Sequence, residues 1–135
     1  MCSCYDFPVP RSRQSRTKSP GSVPALQFRP RIFHRGEIAL GPGKADLLAA
    51  IDVHGSIAKS ARSLGMSYMR AWTLVKIMNG TFREPLVERD RGGAAGGTAR
   101  LTPFGREVLA LYRTLIEQSE KASRSTWARL RRRLS

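Results

Sequence analysis

Four residues near the middle of the chain have side chains that suit contact with DNA. Ser67, Tyr68, Arg70 and Thr73 fall within seven positions of one another. An arginine can donate two parallel hydrogen bonds to O6 and N7 of guanine, and a serine at a helix N-terminus suits a phosphate. The group therefore predicts a surface that reads a base-pair edge. The alternatives are a helix cap for Ser67, partial burial for Tyr68 and a solvated charge for Arg70.

A second cationic group surrounds a glycine-rich segment, GGAAGG at residues 92–97. Arg89, Arg91 and Arg100 flank it, and small residues at a hairpin tip leave room for a sugar-phosphate backbone. A nucleotide-phosphate loop is disfavoured because no Lys-Ser or Lys-Thr pair follows and the glycine spacing matches neither phosphate-binding motif. Ser56 and Lys76 complete the set of residues expected to contact DNA.

The remaining reactive side chains do not assemble into a catalytic or metal-binding pattern. Cys2 and Cys4 lie one residue apart without a nearby ligand to complete a tetrahedron. His34 and His54 stand alone, and the acidic residues show no pairing with a nucleophile. We therefore expect neither an enzyme nor a cofactor or metal site.

The charge of the chain favours a polyanionic partner. Its 135 residues carry a formal net charge of +14, of which residues 1–36 contribute +6, residues 37–102 +3 and residues 103–135 +5. Clustered Lys and Arg attract phosphate and release counterions on contact. Charge in flanking segments gives affinity without sequence choice, so specificity must come from the centre of the chain.

Apolar periodicity and turn residues predict the elements that position these groups. Short strands are expected around Ile32-Phe33 and Ile38-Ala39-Leu40, followed by a break at residues 41–43. Three helices should follow: residues 44–54 up to Gly55, a short helix capped by Ser56 that stops at Gly65, and residues 68–79 capped by Ser67. The last has an apolar face, made of Ala71, Leu74, Val75 and Met78 and widened by Tyr68 and Trp72.

The second half of the chain predicts a hairpin and a long helix. Leu86-Val87 and Ala99-Arg100-Leu101 flank the glycine-rich tip as short strands. Thr102 as cap and Pro103 at the first position then start a fourth helix. Its seam for packing against a second copy consists of Phe104, Val108, Leu111 and Leu115.

The order of these elements is that of a winged helix-turn-helix, mainly α-helical with a small β wing and a long C-terminal helix for dimerisation. We expect a disordered basic tail at residues 1–28, the DNA-binding domain at 29–118, and a basic helical extension or tail at 119–135. No apolar stretch is long enough for a membrane span, and no secretory signal is visible, which predicts a cytoplasmic, nucleoid-associated protein without membrane contact.

Residues 31 to about 117 resemble the DNA-binding domain of the molybdate-responsive ModE regulators. The resemblance is carried by LGPGK at 40–44, AID at 50–52, GSI at 55–57, GMSY at 65–68, RAW at 70–72, PLV at 85–87, the glycine pairs at 92–93 and 96–97, and ARLTP at 99–103 with Gly105. Met69 departs from it, since the family usually has a basic residue there.

The resemblance implies a homodimeric transcription factor that binds a palindromic operator in double-stranded DNA, often beside molybdate-transport genes. It implies base or phosphate contacts for Ser67, Tyr68, Arg70 and Thr73 and backbone contacts for the wing arginines. Relatives bind molybdate in a second, β-rich domain, for which this chain leaves no room, so we expect no molybdate binding by this chain. Two other functions stay open: an architectural DNA binder of weak specificity, and a protein-interaction module built on the fourth helix.

Overall fold

The computed structural model describes residues 23–90 and 97–135, and an antiparallel hairpin comes first in it. Strand β1 (Ile32–His34) pairs with β2 (Glu37–Leu40), with Phe33 opposite Ile38. The turn between them places Arg35 and Gly36 at φ values of 50° and 81°. Two left-handed residues give a turn whose twist matches the strands, so the predicted hairpin is confirmed.

Helix α1 (Pro42–His54) begins two residues earlier than predicted. Pro42 occupies the first helical turn, where its missing N–H is not needed and its fixed φ already suits the helix. Residues 42–43 therefore belong to the helix instead of separating it from the strand. The helix ends at Gly55, as predicted, with φ at 66° and its N–H bonded to the carbonyl of Ile51.

Helices α2 (Ile57–Ser63) and α3 (Tyr68–Thr81) form the helix-turn-helix unit. Between them Gly65 has a φ of 66°, the left-handed conformation that glycine adopts without strain. Both helices begin at the predicted serine caps, and α3 extends two residues beyond its predicted end.

The wing and the long helix follow in the predicted order. Strand β3 (Val87–Asp90) pairs antiparallel with β4 (Thr98–Leu101), and α4 (Pro103–Arg131) then runs for 29 residues, about 43 Å at 1.5 Å per residue. The hydroxyl of Thr102 accepts from the N–H of Gly105 at 2.8 Å, as expected of a cap. Leu86, predicted to lie in the strand, precedes it and is fully buried.

A single apolar cluster holds these elements together. Leu47, Leu48 and Ile51 of α1 are completely inaccessible, and Ala71 and Met78 of α3 pack into the same cluster. The wing and α4 complete it, through Leu86, Val87, Ala99, Leu101, Leu109 and Tyr112. Burial of one face of α3 in this cluster leaves its other face to solvent.

Only the first part of α4 belongs to this core. Its buried residues are Gly105, Leu109 and Tyr112, whereas the helix continues without a break past residue 118 to Arg131. The predicted extension at 119–135 is thus helical in most of its length. The predicted tail falls largely on residues 1–22, which lie outside the described residues, and residues 23–28 form neither helix nor strand. No helix in the described ranges is both long and apolar enough to cross a membrane.

Candidate nucleic-acid interface

The two serine caps hold the N-termini of α2 and α3 in place. The Ser56 hydroxyl accepts from the N–H of Lys59 at 3.3 Å, and the Ser67 hydroxyl accepts from the N–H of Arg70 at 3.2 Å. Each bond satisfies one of the backbone donors that a helix leaves free at its start. Because each hydroxyl accepts in these bonds, its own proton is still available for a phosphate oxygen.

The exposed face of α3 brings together the residues predicted to read DNA. Arg70, Thr73 and Lys76 are all exposed, and Tyr68 is 44% exposed at the first position of the helix. Thr73 is restricted, because its hydroxyl donates to the carbonyl of Met69 at 2.7 Å and can only accept a further bond. The sequence predicted that Thr73 offers its hydroxyl to DNA, and it did not predict this bond within the helix.

Met69 lies on the same surface, with 65% of its side chain exposed. A flexible apolar side chain cannot bond to a phosphate, but it can contact the methyl group of thymine in a major groove. Met69, where this chain differs from the residue usual in the ModE regulators, therefore lies on the exposed surface and not in the core.

The wing arginines have different surroundings. The Arg100 Nε lies 3.3 Å from Glu88 Oε2 across the β3–β4 pair, in an exposed ion pair of little energetic weight. Arg100 must release Glu88 to bind a phosphate, a competition that the sequence did not reveal. The Arg89 guanidinium lies over the indole of Trp72, with its Cζ 5.9 Å from the ring centre. Arg91 lies outside the described residues.

A surface groove of about 160 Å³ lies where α2, α3 and the wing meet. Ser56, Tyr68 and Arg89, one predicted contact from each of the three elements, line this groove together. Residues separated by more than thirty positions are thus brought to one concave surface. Its chemistry is a hydroxyl, an aromatic ring and a cation, a combination suited to a phosphate with its sugar and base.

Asn79, the last residue of the helix predicted at 68–79, bonds the start of the wing to α3. Its side-chain oxygen accepts from the N–H groups of Leu86 and Val87 at 2.9 and 3.1 Å, and its amide donates to the Val87 carbonyl at 2.9 Å. These three bonds satisfy two backbone N–H groups and one carbonyl at the start of β3. In the sequence, the signal for these bonds is an asparagine near the end of a helix that is followed by a strand.

The seam predicted on α4 is divided by the structure. Phe104 and Val108 are half-buried and pack against the core of their own domain. Leu111 and Leu115 are 62% and 42% exposed. The face that enters the core instead contains Gly105, Leu109 and Tyr112, one position further along the helix.

Within residues 23–90 and 97–135, no group of three His, Cys, Asp or Glu side chains is placed to hold a metal ion. Cys2 and Cys4 are outside these ranges. His34 lies at the end of β1 and His54 at the end of α1, so the two histidines are on different elements.

Comparison with known families gives a match for the central part of the chain. Residues 44–106 match the family described as "Bacterial regulatory helix-turn-helix protein, lysR family". This range begins inside α1 and ends at the first turn of α4, so it contains the helix-turn-helix unit and the wing.

Individual relatives match over more residues than the family does. The chain is 40% identical over 96 residues to the molybdenum-pterin-binding protein MopB of Rhodobacter capsulatus, which is 71% of this chain and 36% of MopB. It is 40% identical over 81 residues to the DNA-binding transcriptional dual regulator ModE of Escherichia coli K12, which is 60% of this chain and 31% of ModE. The chain thus spans about a third of the length of these curated relatives.

A solved structure gives the same fold. The crystal structure of a CbnR_DBD-DNA complex superposes with a TM-score of 0.51 at 19% sequence identity, covering 65% of this chain and 95% of that one. At this identity the likeness concerns the fold, and the winged helix-turn-helix predicted from the order of elements is confirmed.

Proposed function

We propose that this chain is a DNA-binding transcriptional regulator, because residues 44–106 match the regulatory helix-turn-helix family of lysR type and the chain is similar in sequence to part of ModE. The observation that carries the proposal is the surface described above. One face of α3 is exposed and carries Arg70, Thr73 and Lys76, while the opposite face, with Ala71 and Met78, is fully buried. A helix held in this way can enter a major groove about 12 Å wide.

In the proposed complex, the N-terminal half of α3 contacts base edges. Arg70 donates to guanine, and Tyr68 and Met69 contact the neighbouring bases or their sugars. The α2 and α3 N-termini, with Ser56 and Ser67, bind phosphates on either side of the groove, since their hydroxyl protons and helix dipoles favour an anion. Thr73 contributes an acceptor and Lys76 a charge.

The wing contacts the sugar-phosphate backbone beside the groove. Arg89 and Arg100 extend from β3 and β4, and Arg91 follows β3 directly in the chain. These contacts fix the position of α3 on the duplex and carry no base information themselves. Release of Glu88 by Arg100 costs little because both side chains are exposed and the ion pair is weak.

The proposed active form is a homodimer on a palindromic operator. Leu111 and Leu115 leave an apolar strip exposed on the outer side of α4, and a second copy is the partner whose symmetry matches two half-sites about 34 Å apart. The regulator acts on chromosomal DNA, so we place it in the cytoplasm, associated with the nucleoid. Its target genes include those of molybdate transport or related functions.

We also propose that molybdate does not alter DNA binding by this chain. A ligand shifts an equilibrium only through different affinities for the two states, and the sequence resembles the DNA-binding domain of its relatives, in which molybdate is bound by a second domain. Titration with molybdate up to millimolar concentration should leave the melting temperature and operator affinity unchanged. A saturable rise in melting temperature would contradict this.

The direct test of function is to recover the DNA that the protein selects. Purified protein is incubated with fragmented genomic DNA at physiological salt, and the retained fragments are sequenced. We expect enrichment of an inverted repeat with half-site centres about one helical turn apart. Retention without any shared motif would support the architectural alternative, because the flanking charge binds all DNA alike. Absence of DNA binding by an intact dimer would support a protein-interaction module.

A further inference from the structure

Trp72 occupies a special place on α3, between its buried and its exposed faces. The side chain is half-buried and packs against the core, yet part of its ring is open to solvent. Two cations lie over this ring: the Lys76 Nζ at 5.1 Å and the Arg89 Cζ at 5.9 Å from the ring centre. The sequence pattern predicted only that Trp72 widens the apolar face of α3.

The two cations come from different elements. Lys76 is one helical turn after Trp72 on α3, whereas Arg89 belongs to β3 of the wing. The face of an indole is electron-rich and attracts cations at this range, and two like charges would otherwise move apart. One ring therefore holds a cation of the helix and a cation of the wing close to each other.

This contact gives the wing a second attachment to α3. Asn79 binds the backbone at Leu86 and Val87, near the C-terminal end of α3. Trp72 lies seven residues earlier, about 10 Å along the helix axis. The packing of the wing residues Ala99 and Leu101 in the core already holds the wing near α3, and these two contacts add to it at separated points along the helix.

We propose that Trp72 is a positioning residue for the phosphodiester backbone of DNA. Its indole orders Lys76 and Arg89 before the complex forms, so that the two cations bind phosphates without first losing side-chain freedom. Ordering a long side chain on binding has a free-energy cost, which an arrangement already present in the free protein avoids. The inference rests on the proposed DNA-binding function and adds to it a residue that acts through two others.

The test compares Trp72→Leu, which keeps an apolar side chain but removes the ring, with Trp72→Phe, which keeps a ring. The operator recovered from the genomic selection is the probe, and affinity is measured at fixed salt. We expect Trp72→Leu to weaken binding about tenfold and Trp72→Phe to stay within about threefold of the wild type. Trp127→Leu, on the part of α4 beyond the core, is the matched control and should leave affinity unchanged.

A double-mutant comparison shows whether Trp72 acts through its two neighbours. In a Lys76→Ala, Arg89→Ala background, Trp72→Leu should have an effect of less than about twofold, since there is nothing left to position. An undiminished tenfold loss in that background would overturn the proposal, because Trp72 would then contact DNA itself or act through the core. Wild-type affinity in the single Trp72→Leu variant would overturn it as well.

A fluorescence measurement without DNA keeps the proposal testable if Trp72→Leu does not fold. In a Trp127→Phe protein, Trp72 is the sole tryptophan, and its quenching by acrylamide reports how well the ring is covered. Replacement of both Lys76 and Arg89 by alanine should increase the quenching constant. An unchanged constant would mean that the cations do not cover the ring. If the wild-type protein bound no DNA at all, the proposed function would fail first, whatever the state of the ring.

Discussion

At the scale of single residues, the hydroxyl of Tyr112 joins two distant parts of the chain. It donates to the carbonyl of Pro30 at 2.8 Å and so ties the segment before β1 to α4. The ring is 4% exposed, and burial raises the pKa of the phenol. The nearby Asp46 carboxylate raises it further, while Arg29 and Arg31 act in the opposite direction.

Replacement of Tyr112 by phenylalanine should lower the free energy of unfolding at neutral pH. It should also remove the part of that free energy that changes with pH in the alkaline range. Loss of one hydrogen bond is expected to lower the free energy of unfolding by about 1 kcal/mol. Since the folded state holds the phenol proton more tightly than the unfolded state, this contribution is complete below about pH 10 and is lost as the pH rises through the folded pKa. Urea unfolding of both proteins between about pH 8 and pH 11 measures the difference. A gap that stays constant over this range would contradict the assignment.

Residue chemistry predicted from sequence was most successful where it depends on immediate neighbours. Ser56, Ser67 and Thr102 act as the expected caps because each bonds to a backbone N–H three residues ahead. The ion pair of Arg100 with Glu88 depends on the pairing of two strands, and periodicity within one strand does not contain that information. The same is true of Arg89 over Trp72, which belongs to the wing, whereas Lys76 lies four residues after Trp72 on the same helix.

At the scale of elements, the orientation of α4 is set by a close approach to the wing. A Cβ atom added at Gly105 would overlap the backbone of Leu86, so only glycine allows the helix to lie where it does. The spacing of Phe104, Val108, Leu111 and Leu115 correctly predicted an amphipathic helix but could not tell which strip faces the domain. The close contact of Gly105 with Leu86 orients the helix so that the adjacent strip, with Leu109 and Tyr112, faces the core.

Gly105→Ala should therefore destabilise the protein although alanine favours helices. We expect a loss of about 1 to 3 kcal/mol in the free energy of unfolding, as is typical of overpacking. Gly80→Ala in α3 is the matched control, because its added methyl group meets nothing within 4 Å, and it should stabilise by up to about 1 kcal/mol. Denaturant unfolding of the two variants provides the measurement. A stabilised Gly105→Ala protein would disprove the role given to this contact.

At the scale of the whole molecule, charge and apolar surface lie in different places. The winged domain itself carries a small part of the +14 net charge, and most of the excess is in the segments on either side. The exposed leucines of α4, Leu111 and Leu115, lie outside the buried face that contains Leu109 and Tyr112. If the proposed function is correct, general affinity for DNA comes mainly from the flanking segments, base reading from α3 and assembly from α4.

Assembly through α4 should depend on its exposed leucines. Leu111→Glu combined with Leu115→Glu places two charges in the proposed interface, and sedimentation at micromolar concentration should show a monomer where the wild type is a dimer. Ala110→Glu, an exposed position on another side of the helix, is the control and should remain dimeric. Because the leucines are exposed in the single chain, the double variant should keep its melting temperature at low concentration. A dimeric double variant would rule out this interface.

The order of elements, the caps and the family resemblance were available from sequence because they are local or collinear features. The concave surface shared by Ser56, Tyr68 and Arg89 was not, since three elements separated along the chain must pack before it exists. For residues 119–135 the sequence left a helical extension and a tail as alternatives, because this part lacks an apolar pattern, and the structure has a helix as far as Arg131.

The central claim, that α3 reads base pairs, is tested most directly by the ratio of operator to random-DNA affinity. Arg70→Ala should lower operator affinity by about 1 to 3 kcal/mol and leave random duplex nearly unchanged, so the ratio should fall about fivefold or more. Arg113→Ala, which removes the same charge from an exposed position on α4, should leave the ratio as it is. An equal loss of both affinities in Arg70→Ala, or an unchanged ratio, would contradict base reading by this residue.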